Sequence, residues 1–318
     1  MSSRSEFTYI STFAGCGGSS LGYKWAGGKG LAAIEFDANA AETYRLNFLE
    51  TPVIERDIAK VTVEELLEVT GLAVGQLDIL DGSPPCQGFS TVGKREIHDP
   101  RNSLFMEFVR LIEGVQPKVF VMENVSGMVK GKMKFVFREV MLALKATGYN
   151  VRCKLLNAMY FNVPQSRERL IWIGVRPDLE KRAEFPKAQG RPMTVAQAWD
   201  GLSPQASTDT ELTETYRGYW RQAEPGGQVG KQDTARKLRT DRPSPTLVGK
   251  EGNGGVYHPS ECRRLSRIEL RRLGSFPDEF AFAGTRTDTQ VRIGNSVPPR
   301  FAQAIAETIR DEVLADAH

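Results

Sequence analysis

The 318-residue chain is poor in the residues that build metal sites and disulfide scaffolds: it has four cysteines and three histidines. Cys16, Cys86, Cys153 and Cys262 stand far apart with no CxxC pair, which points away from zinc and from a disulfide framework. His98, His258 and His318 are scattered, so neither metal catalysis nor a Cys–His dyad has a sequence basis, and no metal is expected. There is no apolar run long enough to span a membrane and no signal peptide at the start. A cytoplasmic protein is the expectation. No internal repeat or low-complexity segment is present. A strong charge of one sign is missing as well. The net charge of +3 does not announce a nucleic-acid partner by itself.

What the sequence does contain is ordinary in bulk, with 40% hydrophobic and 25% charged residues, as in a soluble globular protein long enough to split in two. The charge is uneven, however. Pro186 to Arg272 holds 15 Lys/Arg against 10 Asp/Glu. Five of those arginines crowd into RRLSRIELRR, at Arg263, Arg264, Arg267, Arg271 and Arg272. A phosphate-facing surface and a solvated helix face both fit that run.

The first half alternates strand and helix. Phe7 to Phe13, Leu31 to Phe36, Val53-Ile54, Leu77 to Leu80 and Val119 to Met122 read as strands, with Tyr149 to Leu156 and Leu170 to Val175 following. Between them lie helical patterns. The clearest is Leu104, Phe108, Leu111, Ile112 and Val115, one face at i, i+4, i+7, i+8 and i+11. The alternation predicts a doubly wound parallel sheet. From Lys187 to Tyr257 the periodicity weakens and Gly, Pro, Thr and Gln accumulate, which predicts a smaller irregular domain. Pro299 to Val313 is helical again.

Three places on this frame carry chemistry. The first is FAGCGGSSLG, residues 13 to 22, a glycine turn between strand and helix. Gly15, Gly17 and Gly18 let backbone approach a ligand, and Glu35 follows about 20 residues on, where an acid binds ribose hydroxyls. Phe36 suits packing on a ring. Asp57 and Ile58, past the third strand, suit an adenine edge and face. This signals a nucleotide-like cofactor without choosing between NAD and S-adenosylmethionine. The second is QLDILDGSPPCQGFS, residues 76 to 90. Two prolines stop a strand and deliver Cys86 to its carboxyl end, where open α/β sheets place their chemistry. Taken alone, Cys86 reads first as a small buried hydrophobe, the commoner fate of a lone cysteine, although the loop residues around it count against that reading. The third is Glu123 at the close of the neighbouring strand, with Gln165, Arg167 and Arg169 alternating into another, so that period two sets them on one side.

FAGCGG, GSPPCQGFS, ENV, QSRERL, GSFPDEF and GNSVPP occur here in the order of the DNA cytosine-5 methyltransferases, and the chain resembles that family over nearly its whole length except about residues 186 to 241. Gly-Phe-Ser after PPCQ is similar to the DNA enzymes rather than their tRNA-methylating relatives. The resemblance implies an α/β, doubly wound mixed sheet of the Rossmann-like methyltransferase type, formed by residues 1–185 and 286–318. A small irregular target-recognition domain is implied at 186–285. It implies S-adenosylmethionine as cofactor, held by Phe13, Gly15, Gly17, Gly18, Glu35, Phe36, Asp57, Ile58, Pro85 and Leu104, with Asn295 and Ser296 reaching in from the far end. Cys86 becomes the nucleophile, and Glu123, Arg167 and Arg169 the groups that grip cytosine. Gln87, Ser90, Arg101 and Thr246 become DNA contacts, Ser90 a candidate to fill the space left by a flipped base. The implied partner is double-stranded DNA, in a bacterial cytoplasm at the nucleoid, with a cognate restriction endonuclease in the same system and the enzyme itself monomeric.

The residue types suit that chemistry. C5 of cytosine is a poor nucleophile until a thiolate adds at C6 and makes C5 enamine-like. A cytosine in a duplex must be flipped out to reach such a group. Three rival readings stay open on sequence: an RNA cytosine methylase, a catalytically silent DNA-binding protein, and an NAD-linked oxidoreductase suggested only by the glycine turn.

Overall fold

The run Phe7–Thr12 (FTYIST) forms strand β1, with Tyr9 and Ile10 both buried, as a central strand covered on two faces requires. The structure, a computed structural model, describes residues 7–85, 103–129, 133–202, 208–232, 235–249 and 255–315. The chain divides into two compact units. One comprises Met1–Leu156, Glu168–Lys187 and Ala302–His318, the other Asn157–Arg167 and Ala188–Phe301.

In the first unit β1 leads through a glycine turn to α1 (Gly18–Trp25), β2 (Gly28–Glu35), α2 (Ala38–Asn47), β3 (Val53–Glu55), α3 (Val63–Thr70), β4 (Ile79–Gly82), α4 (Ser103–Val115), β5 (Val119–Val125) and α5 (Lys134–Ala146). Local signals set several of these boundaries. Asp37 caps α2 by accepting from Ala40 N–H at 3.0 Å. Thr62 caps α3 in the same way, and Gly71 closes it in the left-handed conformation at φ 69°. Strands β6 (Asn150–Asn157) and β7 (Glu168–Val175) complete a seven-stranded sheet in the order β3-β2-β1-β4-β5-β7-β6.

The sheet is mixed. β1, β2, β3, β4 and β5 pair in parallel, but β7 runs antiparallel to β5, with Met122 opposite Trp172. The purely parallel sheet read from the alternation is corrected here. The residues between β6 and β7 are too few for the helical crossover of roughly a dozen residues that a parallel return needs. Two strands also outrun their expected ends. β4 includes Asp81 and Gly82, paired with Ser11 and Thr12. β5 continues through Glu123, Asn124 and Val125, so these residues lie within the strand rather than beyond it.

The core gathers Ile10, Ile34, Leu66, Leu80, Phe108, Ile112, Phe120, Met122 and Trp172 between sheet and helices. Each such side chain contributes about 1.5–3 kcal/mol by leaving water. Phe108 and Phe120 meet edge to face at 6.2 Å.

The second unit has little sheet. It contains α6 (Val195–Ala198), α7 (Glu214–Gln222), the short parallel pair β8 (Arg236–Lys237) and β9 (Val256–Tyr257), α8 (Arg267–Leu273) and α9 (Arg286–Asn295). A small core of Leu212, Val229, Ala235 and Tyr257 takes Tyr216, Tyr219 and Trp220 from one face of α7. Capping boxes start α6, α8 and α9. Arg263 is buried and grips Glu269 with two nitrogens, at 2.8 and 2.7 Å. Arg272 likewise binds both oxygens of Asp278. Arg263 and Arg272 are therefore committed to carboxylates, and the more exposed Arg267 has its Nε 4.0 Å from Asp209. The last helix, α10 (Pro299–Glu312), carries the chain back to the first unit.

Candidate active site

The glycine turn is built by backbone geometry that few side chains tolerate. Phe13 turns out of β1 at φ 53°, and Gly15 and Gly17 follow at φ 56° and 91°. A Cβ on Gly17 would also strike the Phe48 ring. Gly18 then opens α1, whose N-cap Gly17 offers no side-chain bond. Glu35 ends β2 and clasps the turn. Its Oε2 accepts from Gly15 N–H at 2.7 Å, and its Oε1 accepts from Phe36 and Asp37 N–H at 2.9 and 2.8 Å. Burial raises the Glu35 pKa, although those three donors work against the rise. Phe36 beside it is 76% exposed, a bare aromatic face next to the turn. Asp57 is exposed and caps a short 3₁₀ turn through Ala59 N–H, while Ile58 is buried. Leu104 packs half-buried against the core near the start of α4.

β4 and β5 end side by side on the same sheet edge. After Gly82 the chain runs through Ser83 and buried Pro84 to exposed Pro85. Cys86, Gln87, Ser90 and Arg101 lie outside the described residues. Glu123 stands on β5 opposite Ile171, and Arg169 on β7 opposite Val125. That diagonal offset brings two long side chains together across an antiparallel pair. Arg169 Nε lies 2.5 Å from Glu123 Oε1, and both side chains are largely buried. The contact is an ion pair rather than an aligned hydrogen bond, since Nε has no acceptor along its N–H direction.

Arg167 and Gln165 belong to the second unit and are spent there. Arg167 is 2% exposed, and its terminal nitrogens donate to Leu247 O at 3.1 Å and Gly294 O at 2.7 Å. Gln165 accepts from Leu247 N–H and donates to Leu273 O. Thr246 Oγ1 donates to Ser166 O at 2.8 Å, so the QSR strip lies along 244–247. Gly294 is required by close approach, because a Cβ there would strike the Gly249 backbone. Asn295 is exposed and ends α9, and Ser296 is its buried C-cap.

The profile of the C-5 cytosine-specific DNA methylases matches residues 7–311. The chain belongs to that family. The Type II methyltransferase M1.HphI of Haemophilus parahaemolyticus is 34% identical, over 96% of this chain and 87% of its own. M.FnuDI of Fusobacterium nucleatum is 33% identical, over 96% and 95%. A prophage-encoded E. coli protein assigned as a DNA modification methyltransferase superposes with a TM-score of 0.81 at 25% identity, over 98% of this chain and all of its own. Dnmt2 methyltransferase of S. pombe shares the fold alone, at a TM-score of 0.69 and 19% identity over 98% and 99%. The activity of this chain is accordingly DNA cytosine-5 methylation, and the methylase family takes S-adenosylmethionine as donor.

Two residues at this methylase's sheet edge escaped the reading of the sequence. Asn124 is buried, and its Nδ2 donates to Pro84 O at 2.9 Å while its Oδ1 accepts from Val125 N–H. It ties β5 to the chain two residues before Cys86. Asp81 is 3% exposed on β4, with three hydroxyls around its carboxyl. The available signal is a carboxylate inside an apolar run, LDILDG. Among the described residues no helix is long and apolar enough to cross a membrane.

Proposed function

We propose that this methylase transfers a methyl group to C5 of a flipped-out cytosine in duplex DNA through a covalent Cys86 adduct at C6. The reading is carried by the Glu123–Arg169 pair, which joins β5, the neighbour of the strand leading to Cys86, to β7 on its far side. The first unit fits the family's donor. A left-handed glycine turn, an uncapped start to α1 and the exposed ring of Phe36 suit an amino-acid and adenosine ligand. Phe13, Gly15, Gly17, Gly18, Glu35, Phe36, Asp57, Ile58, Pro85 and Leu104 are assigned to it, with Asn295 and Ser296. S-adenosylmethionine bound there supplies a methyl group on an electrophilic sulfonium.

The protein's own part is as follows. The Cys86 thiolate forms the bond to C6. Glu123 hands or shares a proton with N3 and orders the exocyclic amino group, while Arg169 holds that carboxyl in place. C5 takes the methyl group as the S–CH3 bond breaks and S-adenosylhomocysteine leaves. C5 then loses its proton to a base, the electrons of that C–H bond restore the ring and expel Cys86 as thiolate, and N3 returns its proton to Glu123. The second unit, with residues 186–285 at its heart, reads the target sequence, and Gln87, Ser90, Arg101 and Thr246 contact DNA. The enzyme acts as a monomer in the bacterial cytoplasm, as the modification half of a restriction system.

Cys86→Ser is expected to abolish labelled methyl transfer to duplex DNA while leaving cofactor binding nearly intact. Transfer persisting in that variant would sink the covalent route. Glu123→Gln is expected to slow transfer by about 10²–10⁴-fold. Bisulfite sequencing of plasmid exposed to the protein reports the target base and site, and parallel incubation with tRNA separates the RNA reading.

A further inference from the structure

Asp81 sits where the glycine turn, α1 and β4 meet. Its Oδ2 accepts from Ser11 Oγ at 3.1 Å and Ser19 Oγ at 2.7 Å, and its Oδ1 accepts from Tyr23 OH at 2.9 Å. Its main-chain oxygen accepts from Thr12 Oγ1 at 2.9 Å. Ser11 and Thr12 precede the turn, and Ser19 and Tyr23 follow it. One residue of β4 therefore fastens both ends of the loop assigned to the cofactor. Ser20 extends the lattice, receiving Tyr44 OH on its hydroxyl at 3.0 Å and Tyr9 OH on its carbonyl at 3.1 Å.

We infer that Asp81 is a positioning residue for methyl transfer, holding the glycine turn in register with the strand that leads to Cys86. This rests on the cofactor reading above. A residue needed only to fill the core would be satisfied by a neutral side chain. Here a carboxylate is buried with three hydroxyls and, among the described residues, no cation within bonding reach. Ionised, it accepts from all three at once. Protonated, it must donate to one, and that hydroxyl must turn to accept. The placement of the turn thus depends on the proton. The groups facing it are Glu123 from β5, Tyr23 from α1, Tyr9 from β1 and Tyr44 from α2, with no positive partner among them. Burial pushes Asp81 up to about 6, within reach of cellular pH, and the nearby Glu123 charge adds to the rise.

The test is binding of S-adenosylhomocysteine to the full chain without DNA, by calorimetry from pH 5.5 to 8. The unaltered protein is expected to lose affinity about tenfold as pH falls through 6, the equivalent of about one pKa unit of coupling. Asp81→Asn always carries a donor, so it is expected to bind about tenfold more weakly at pH 8 with no pH dependence in that range. Ser19→Ala removes one donor to the carboxylate and is expected to move the midpoint to higher pH, which loss of packing alone would not do. Asp81→Asn retaining the unaltered pH profile would overturn the inference, as would an unmoved midpoint in Ser19→Ala. Failure of the unaltered chain to bind at any pH would overturn the cofactor reading, and this inference with it.

Discussion

Asp81 in the first unit and Glu269 in the second are both buried carboxylates, yet they are satisfied in opposite ways. Asp81 has three hydroxyl donors and Glu123 as a charged neighbour, and burial pushes it up to about 6. Burial also pushes Glu269 upward, but the Arg263 guanidinium and the Ser266 N–H pull it net below its ordinary value. The difference is one of purpose. A guanidinium fork fixes Glu269 as an ion at every working pH, which suits a unit with little sheet to hold it. Hydroxyls favour ionised Asp81 less strongly than a guanidinium would, and one of them can turn to accept when the carboxyl is protonated, which suits a strand end beside the proposed chemistry. The Arg263 pair is a staple, whereas the Asp81 cluster is a joint.

Removing the cation from the staple should produce the largest effect. Arg263→Met leaves Glu269 buried without its partner and is expected to cost about 3–5 kcal/mol of unfolding free energy in urea. A loss below about 1 kcal/mol would show that water reaches the pair and would erase the contrast.

Next comes the pH dependence of stability, where the two carboxylates should have opposite slopes. The folded pKa of Asp81 is raised from 3.8 to about 6. The native state therefore holds that proton more tightly than the unfolded chain does. The stability it contributes is present below about pH 4 and lost as pH rises through about 6, roughly 3 kcal/mol in all. Asp81→Asn is expected to remove that fall, measured as the difference between unfolding curves at pH 4.5 and 7. Glu269 has its folded pKa lowered, so its contribution is present above about 4.5 and lost as pH falls further. Parallel slopes for the two residues would break the comparison.

Single hydroxyls should matter least. Ser19→Ala is expected to cost about 1 kcal/mol, as one of three donors is lost. Thr285→Ala, which removes the cap of α9 in the second unit, should cost about the same. A much larger loss for Ser19 would mean that the Asp81 cluster is as rigid as the staple.

Much of this could be read in advance because it is local. Strand and helix periodicity placed the sheet elements within a few residues, and the FAGCGG turn stood between β1 and α1 as expected. The antiparallel β7 was invisible in the alternation, since strand direction depends on how the chain returns between β6 and β7. Period two set Gln165, Arg167 and Arg169 on one side, but it could not say that Arg167 would be spent on the Leu247 and Gly294 carbonyls. Nor could it say that Arg169 would meet Glu123. Those partners come from segments 80 and 127 residues away in one case and from a neighbouring strand in the other. Charge counting likewise left a phosphate-facing surface and a solvated helix face open for Arg263 and Arg272, and could not say that each faces a carboxylate.

The sequence by itself determined the family, the order of the elements and the residue types the chemistry needs, because a glycine turn, a Pro-Pro stop and a strand-end acid each act over a few residues. Only the tertiary structure decided which charges are paired and which carboxylate can take up a proton. Those properties depend on what burial removes and what distant segments return: three hydroxyls from β1 and α1 for Asp81, a guanidinium fork for Glu269.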